Sequence, residues 1–159
     1  MIGTKISLLD SNILVYAYDS SEKEKHKIAE EILKDCWNKR SFYALSTQNL
    51  SEFFVVTTKK ISKPIPISEI KETIKNISKF QNFEILIITD NTILEAINIL
   101  SQYNTSYWDS LIASVMQENN INTIITENEK DFKKIPWLKV INPFTKEVEI
   151  KEENKINQK

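Results

Sequence analysis

Asp10, Glu52, Asp109 and Asp131 are the side chains of this 159-residue chain best placed to do chemistry. Asp10 ends the apolar run Ile6 to Leu9, which is broken only by Ser7, and is followed by Ser11 and Asn12. An acid there sits where a buried strand emerges at the rim of a sheet, the edge at which open α/β sheets bind ligands. Glu52 lies in the first turns of a helix after a second strand, and Asp109 in the first turn of a helix opened by Ser106. Asp131 follows a fourth strand, after Thr126-Glu127-Asn128-Glu129-Lys130. Each acid also has a plain scaffold reading: Asp10 as an N-cap, Asn49/Glu52 and Ser106/Asp109 as capping boxes, Asp131 as a turn cap. Taken together, several uncompensated carboxylates at one sheet edge repel one another. That repulsion calls for a cation, and hard divalent ions with oxygen ligands answer it.

The absences narrow the chemistry further. Gly3 is the only glycine, which excludes a glycine-rich phosphate loop or dinucleotide fingerprint. His26, the only histidine, lies in a Lys/Glu-rich helical stretch and reads as a surface imidazole, leaving Ser-His-Asp, Cys-His and His-rich zinc sites unsupported. Any catalysis falls to carboxylates. A lone cysteine, Cys36, excludes an intrachain disulfide framework and suits a reducing compartment. No run approaches the roughly 18 apolar residues of a membrane span, so the expectation is a soluble, cytoplasmic protein with no membrane partner. With 21 basic and 22 acidic side chains, the net charge of −1 carries no mandate for nucleic-acid binding. It leaves room for local basic clusters such as Lys130, Lys133 and Lys134.

The elements that must position the acids follow from periodicity. Lys5 to Leu9, Phe42 to Leu45, Phe83 to Ile88, Thr123 to Thr126 and Leu138 to Ile141 read as strands. Helices are expected from Ser21 (a capping box with Glu24) to Trp37, through Leu50, Phe53, Phe54 and Thr57, and from Ser68 through Ile70, Ile74 and Ile77. Two more open at Asp90 and Ser106, the last with Trp108, Leu111, Ile112, Val115 and Met116 as its apolar stripe. Asn12 to Tyr18 suits strand or helix equally. Strands alternating with amphipathic helices argue for a mainly parallel sheet covered on both faces. Residues 1–144 read as one domain, and residues 145–159 as a charged, disordered tail.

Five fragments, in order, resemble the PIN-domain ribonucleases, in particular the VapC-type toxins. They are Leu9-Asp10-Ser11-Asn12-Ile13-Leu14-Val15-Tyr16-Ala17, Ser46-Thr47-Gln48-Asn49-Leu50-Ser51-Glu52-Phe53, and Tyr107-Trp108-Asp109-Ser110-Leu111-Ile112-Ala113. The last two are Ile125-Thr126-Glu127-Asn128-Glu129-Lys130-Asp131-Phe132 and Ile141-Asn142-Pro143-Phe144. The resemblance implies a three-layer α/β/α domain with a central parallel five-stranded sheet, and a helix at Ile13 to Tyr18. It matches Asp10, Glu52, Asp109 and Asp131 to the family's catalytic acids, with Asp10, Asp109 and Asp131 as metal ligands. Asn12 and Thr126 match supporting positions. At Asn128 the chain departs from the family's usual acid, with Glu127 and Glu129 close by in sequence. The implied activity is magnesium-dependent hydrolysis of RNA, with manganese as a substitute, Lys130, Lys133 and Lys134 meeting phosphates, and a cognate antitoxin and homodimer as partners. Two rivals are a non-catalytic PIN module and a stand-alone RNA-processing nuclease. A dehalogenase-like phosphatase, which needs a second Asp where Asn12 stands, is a poor match.

Overall fold

The computed structural model describes residues 5–145. Its elements in chain order are β1 (Ser7–Leu9), α1 (Ser11–Tyr18), α2 (Lys23–Trp37), β2 (Tyr43–Ser46), α3 (Thr47–Lys59) and α4 (Ile67–Lys79). Then come β3 (Phe83–Leu86), α5 (Asp90–Tyr103), α6 (Tyr107–Glu118), β4 (Thr123–Ile125), α7 (Glu129–Phe132) and β5 (Lys139–Ile141). All five strands are parallel, in the order β3-β2-β1-β4-β5. The chain winds from β1 outward through β2 and β3, then crosses back to β4 and β5. The crevice at the carboxyl ends of β1 and β4 is therefore the switch point at which such sheets bind ligands.

Strand alternation divides the core into two layers. Leu9 and Leu45 point into one apolar cluster with Ile13, Leu14, Leu33, Phe53, Ile70 and Ile77, under α1 to α4. Leu8 and Ala44 point the other way, against Ile112, Val115, Met116 and Phe132 of α6 and α7. A smaller cluster of Ile99, Ala113 and Ile135 joins α5 to α6. The architecture is the three-layer α/β/α arrangement, and the ambiguous stretch after Asn12 is helical, since Ile13, Leu14 and Ala17 are buried along α1.

Several helix starts differ from expectation, for local reasons. Ser21 does not cap α2; its amide and hydroxyl both bond Asp19 Oδ1, and Glu22 is the N-cap, with no side-chain cap bond. The helix expected at Ser68 begins one residue earlier, after the N-cap Pro66, whose fixed φ suits entry to a helix. Thr89 rather than Asp90 caps α5, in a reciprocal pair with Thr92. Trp108, expected in the core stripe of α6, is 63% exposed because the first turn of that helix stands at the rim rather than over the sheet. The four-residue α7 is too short to show a period and was not expected. The tail expected from residue 145 lies outside the described residues except for Thr145. Among the described residues, no helix is long and apolar enough to cross a membrane.

Candidate active site

Asp10 is the innermost acid, 5% exposed at the end of the central strand. Its amide donates to the Ile125 carbonyl at 3.0 Å, which locks it beside β4. Oδ1 accepts from the Ser11 amide at 2.7 Å and from Asn49 Nδ2 at 3.4 Å. Oδ2 accepts from the Thr126 hydroxyl at 2.7 Å and from Asn12 Nδ2 at 3.3 Å. Asp10 is thus the N-cap that one reading of the sequence expected, and also the point where α1, α3 and β4 meet. Burial pushes its carboxyl up to about 6, against the hydrogen bonds from Thr126 and Ser11, with the nearby charges of Glu52 and Asp109 adding to the rise.

Asn49 does not open a capping box with Glu52. It closes one with Ser46, accepting from the Ser46 amide at 2.9 Å while its own amide donates to the Ser46 hydroxyl. Glu52 is left free of capping duty on the site side of α3. Its Oε2 accepts from the Ser11 hydroxyl at 2.5 Å and its Oε1 from Gln48 Nε2 at 2.7 Å. Gln48 also reaches the Trp108 carbonyl at 3.3 Å, so one amide ties Glu52 to the first turn of α6. In that turn, Asp109 donates its amide to the Ser106 hydroxyl at 3.2 Å, which caps the helix. Partial burial raises the Asp109 carboxyl against the Ser106 hydroxyl, and the charges of Asp131 and Glu52 raise it further.

Asp131 is near Asp109 but differently employed. Its Oδ2 accepts from the Ser106 amide at 2.8 Å and its Oδ1 pairs with Lys134 at 2.9 Å, and these two partners hold its carboxyl below the usual range. Asn128 turns its side-chain amide towards Asp109 Oδ2 at 3.5 Å, while its backbone amide donates to Thr126 Oγ1 at 3.0 Å. The neighbouring acids do not make up for the missing charge at 128. Glu127 is engaged by Lys25 and Tyr16, and Glu129 by Lys133 and Asn142. Of the three lysines, Lys133 and Lys134 are thereby paired, whereas Lys130 is exposed and forms no salt bridge among the described residues. His26 stands apart from the acids, with Nδ1 2.8 Å from the Tyr16 carbonyl.

The structure therefore brings Asp10, Glu52 and Asp109 into mutual electrostatic range, with Asp131 beside Asp109 at the edge. Sequence reasoning missed Gln48 and Asn49 as site residues. Asn49 carries a signal, being polar and three residues past the strand-ending Ser46, but its equal spacing to Glu52 suggests a different box. The donor set is all oxygen and uncompensated at its centre, which fits a hard divalent cation in charge and chemistry. As the side chains stand, no three Asp, Glu, His or Cys groups among the described residues are gathered closely enough to hold an ion. Both Glu52 oxygens are occupied by neutral donors, and so are those of Asp10. Beside the acids, a cleft of about 590 Å³ runs between α1 and α3, from Ser11, Asn12 and Glu52 past Val15 and Val55 to Lys60.

A family model described as PIN domain matches residues 7–138. No curated protein gives a significant match. Among solved structures, a toxin-antitoxin complex from Klebsiella pneumoniae superimposes with a TM-score of 0.62 at 23% identity, over 86% of this chain and 97% of that one. VapBC2 from Rickettsia felis, bound to a DNA fragment from its promoter, gives 0.60 at 24% identity, over 86% and 98%. VapC20 from Mycobacterium tuberculosis, a sarcin-ricin loop cleaving toxin, gives 0.57 at 13% identity, over 76% and 87%. At these identities the likeness is one of fold.

The raised Asp10 carboxyl has a stability consequence with a definite sign. Its ordinary value is 3.8 and its folded value about 6. Between those values the folded state holds a proton that the unfolded chain has lost, so folding weakens as pH rises through that window. Above it the cost levels off at about 3 kcal/mol. Urea unfolding with a chelator present should show the chain less stable at pH 7.5 than at pH 5, with the difference reduced in Asp10→Asn. An equal pH dependence in both proteins would exclude this origin.

Proposed function

This chain belongs to the PIN-domain family, and from that membership together with its buried carboxylates we propose that it is a magnesium-dependent endoribonuclease, the toxin of a toxin-antitoxin pair acting in the cytoplasm. The observation that carries the reading is the trio Asp10, Glu52 and Asp109 at the switch point of the sheet, with two carboxyls raised by burial and by their like-charged neighbours. Asp10 and Asp109 would hold the magnesium ion, or manganese in its place, with Asp131 contributing at the edge. When bound, such an ion lowers the pKa of water and neutralises the phosphate oxygens of the substrate. Glu52 would orient the attacking water and take its proton. Asn12 and Thr126 fix the rotamer of Asp10. With Asn128 an amide and Asp131 already paired to Lys134, the charge available favours one ion over two.

The direct test is cleavage of RNA with magnesium added. Asp10→Asn and Asp109→Asn should each reduce the rate at least about a hundredfold, since the ion supplies several kcal/mol, while circular dichroism stays unchanged. Full activity in both variants would refute the reading. The second reading, a PIN module without catalysis, is favoured by the occupied oxygens of Glu52 and Asp131. Calorimetric titration with manganese separates the two, because a dead module takes up no ion specifically.

Carboxylates alone repel RNA, so rim lysines must reverse the local sign. Lys130, exposed and without a salt bridge among the described residues, is the best candidate of the three. Lys130→Gln should weaken RNA binding and reduce the slope of log affinity against log salt by about 0.7, the share of one single-strand phosphate contact. Lys133→Gln should change it less, and an equal effect of the two would set the assignment aside.

The partner reading rests on the toxin-antitoxin complexes of similar fold. The cleft between α1 and α3, apolar along Val15, Val55 and Val56 and adjoining Glu52, is a surface an antitoxin would cover. A homodimer would use the exposed Ile93, Leu94 and Ile97 of α5 rather than Phe53, which is fully buried. The product of an adjacent short reading frame should co-purify with the chain and block cleavage, and Ile97→Glu should shift sedimentation from dimer to monomer. A chain that sediments as a monomer throughout would dismiss the dimer.

A further inference from the structure

Lys25 lies in the first turn of α2, distant in sequence from every acid of the site. Its ammonium bonds Glu127 Oε1 and donates to the Tyr16 hydroxyl at 3.3 Å. That hydroxyl in turn donates to Glu127 Oε2 at 2.5 Å, so both oxygens of Glu127 are occupied. The same ammonium stands 5.0 Å from the centre of the Tyr16 ring and 5.8 Å from that of Phe144, and the two rings meet edge to face. His26, one residue on, faces the Tyr16 carbonyl and ties α2 to the last turns of α1. Glu127 is therefore fixed where α1, α2 and the chain beyond β5 come together.

Glu127 belongs to the short loop between β4 and α7 that also carries Thr126 and Asn128. Its amide donates to Asn12 Oδ1 at 3.4 Å, and Asn12 Nδ2 lies 3.3 Å from both Asp10 Oδ2 and Thr126 Oγ1. Thr126 and Asn128 then reach Asp10 and Asp109. An unbroken run of bonds leads from Lys25 through Glu127 to the two carboxylates. Without Lys25, Glu127 would keep only the hold of the Tyr16 hydroxyl, and the loop would be freer to swing away from Asn12.

We propose that Lys25, acting through Glu127, is a positioning residue that sets the β4–α7 loop so that Asn12, Thr126 and Asn128 meet Asp10 and Asp109. This rests on reading those acids as the hydrolytic centre. The pair is about a third exposed on each side, so its effect on global stability is small. Its effect is local, on the geometry of the loop.

The test compares Lys25→Met, Lys25→Arg and the exchange of Lys25→Glu with Glu127→Lys. Lys34→Met serves as control, since among the described residues Lys34 pairs only with Glu30 and Glu31 of the same helix. Lys25→Met should speed amide hydrogen exchange at Glu127 and Asn128 about fivefold or more with chelator present. It should also weaken manganese binding by about tenfold, the scale of a lost supporting contact, and lower kcat more than it raises KM. Lys25→Arg should retain all three properties, the charge exchange should recover part of them, and Lys34→Met should leave them unchanged. Unaltered exchange and manganese affinity in Lys25→Met, or equal changes in Lys34→Met, would overturn the proposal. Should Lys25→Met not fold, Tyr16→Phe removes one of the two holds on Glu127 and is read by the same measurements. If the wild-type chain cleaves no RNA, the functional reading fails, while hydrogen exchange and manganese titration still decide the role of Lys25.

Discussion

The burial of Asp10 is the constraint around which the remaining structure is arranged. An acid taken out of water at the end of the central strand must be met by donors, and its donors come from three elements: Ser11 and Asn12 from α1, Asn49 from α3, and Thr126 from the end of β4. Those donors are themselves tied to the backbone. Asn49 is bound into the cap of α3, Thr126 takes its register from the Ile141 carbonyl through its amide, and Asn12 accepts the amide of Glu127. Four of the five strands contribute to the surroundings of one carboxylate. Removing the side chain altogether would leave buried hydroxyl and amide groups without an acceptor, which is costly in its own right.

The acids divide into two groups that composition cannot separate. Glu127, Glu129 and Asp131 each have a lysine within bonding distance and hold the scaffold around β4, α7 and the start of α6. Asp10, Glu52 and Asp109 have neutral donors only. Opposite charge lowers the carboxyls of Glu129 and Asp131, whereas desolvation and like charge raise those of Asp10 and Asp109. A nearly neutral chain thereby keeps three carboxylates without a cationic partner together at one crevice. The lysines matter for what they take out of that crevice as much as for any phosphate they meet.

Most of the fold was legible because each apolar strand ends in a polar residue and each helix carries a stripe. The alternation of strands and helices, the parallel sheet and the location of Asp10 at a strand end follow from that pattern, whereas the order of the strands is given only by the structure. Helix starts were less legible, because Ser21, Ser68, Asp90 and Asn49 are all competent caps and the choice among neighbours is settled by which partner the tertiary structure brings near. Asn49 shows this best: its side chain serves the cap of its own helix and the buried acid of another element at once. Lys25 and Glu127 stand 102 positions apart, and nothing in either neighbourhood points to the other before the strand order is known. Trp108 misled for the opposite reason, since its spacing suits the stripe of α6 while its position at the rim leaves no sheet beneath it.

Asn128 is where the scaffold and the site make opposing demands. A carboxylate there would face Asp109, whose carboxyl is already raised by burial and by its acidic neighbours, and the nearest acids are too committed to lysines to share the load. An amide of the same shape keeps the contact to Asp109 as a donor, and relieves the repulsion that a carboxylate would add. The same exchange withdraws one negative charge from the group that would attract a second cation. Stability of the folded chain and capacity for metal thus pull in opposite directions at this residue. The hydrogen bond from its own backbone to Thr126 fixes the main chain at 128 beside Asp109, so the choice of side chain there bears directly on that carboxylate.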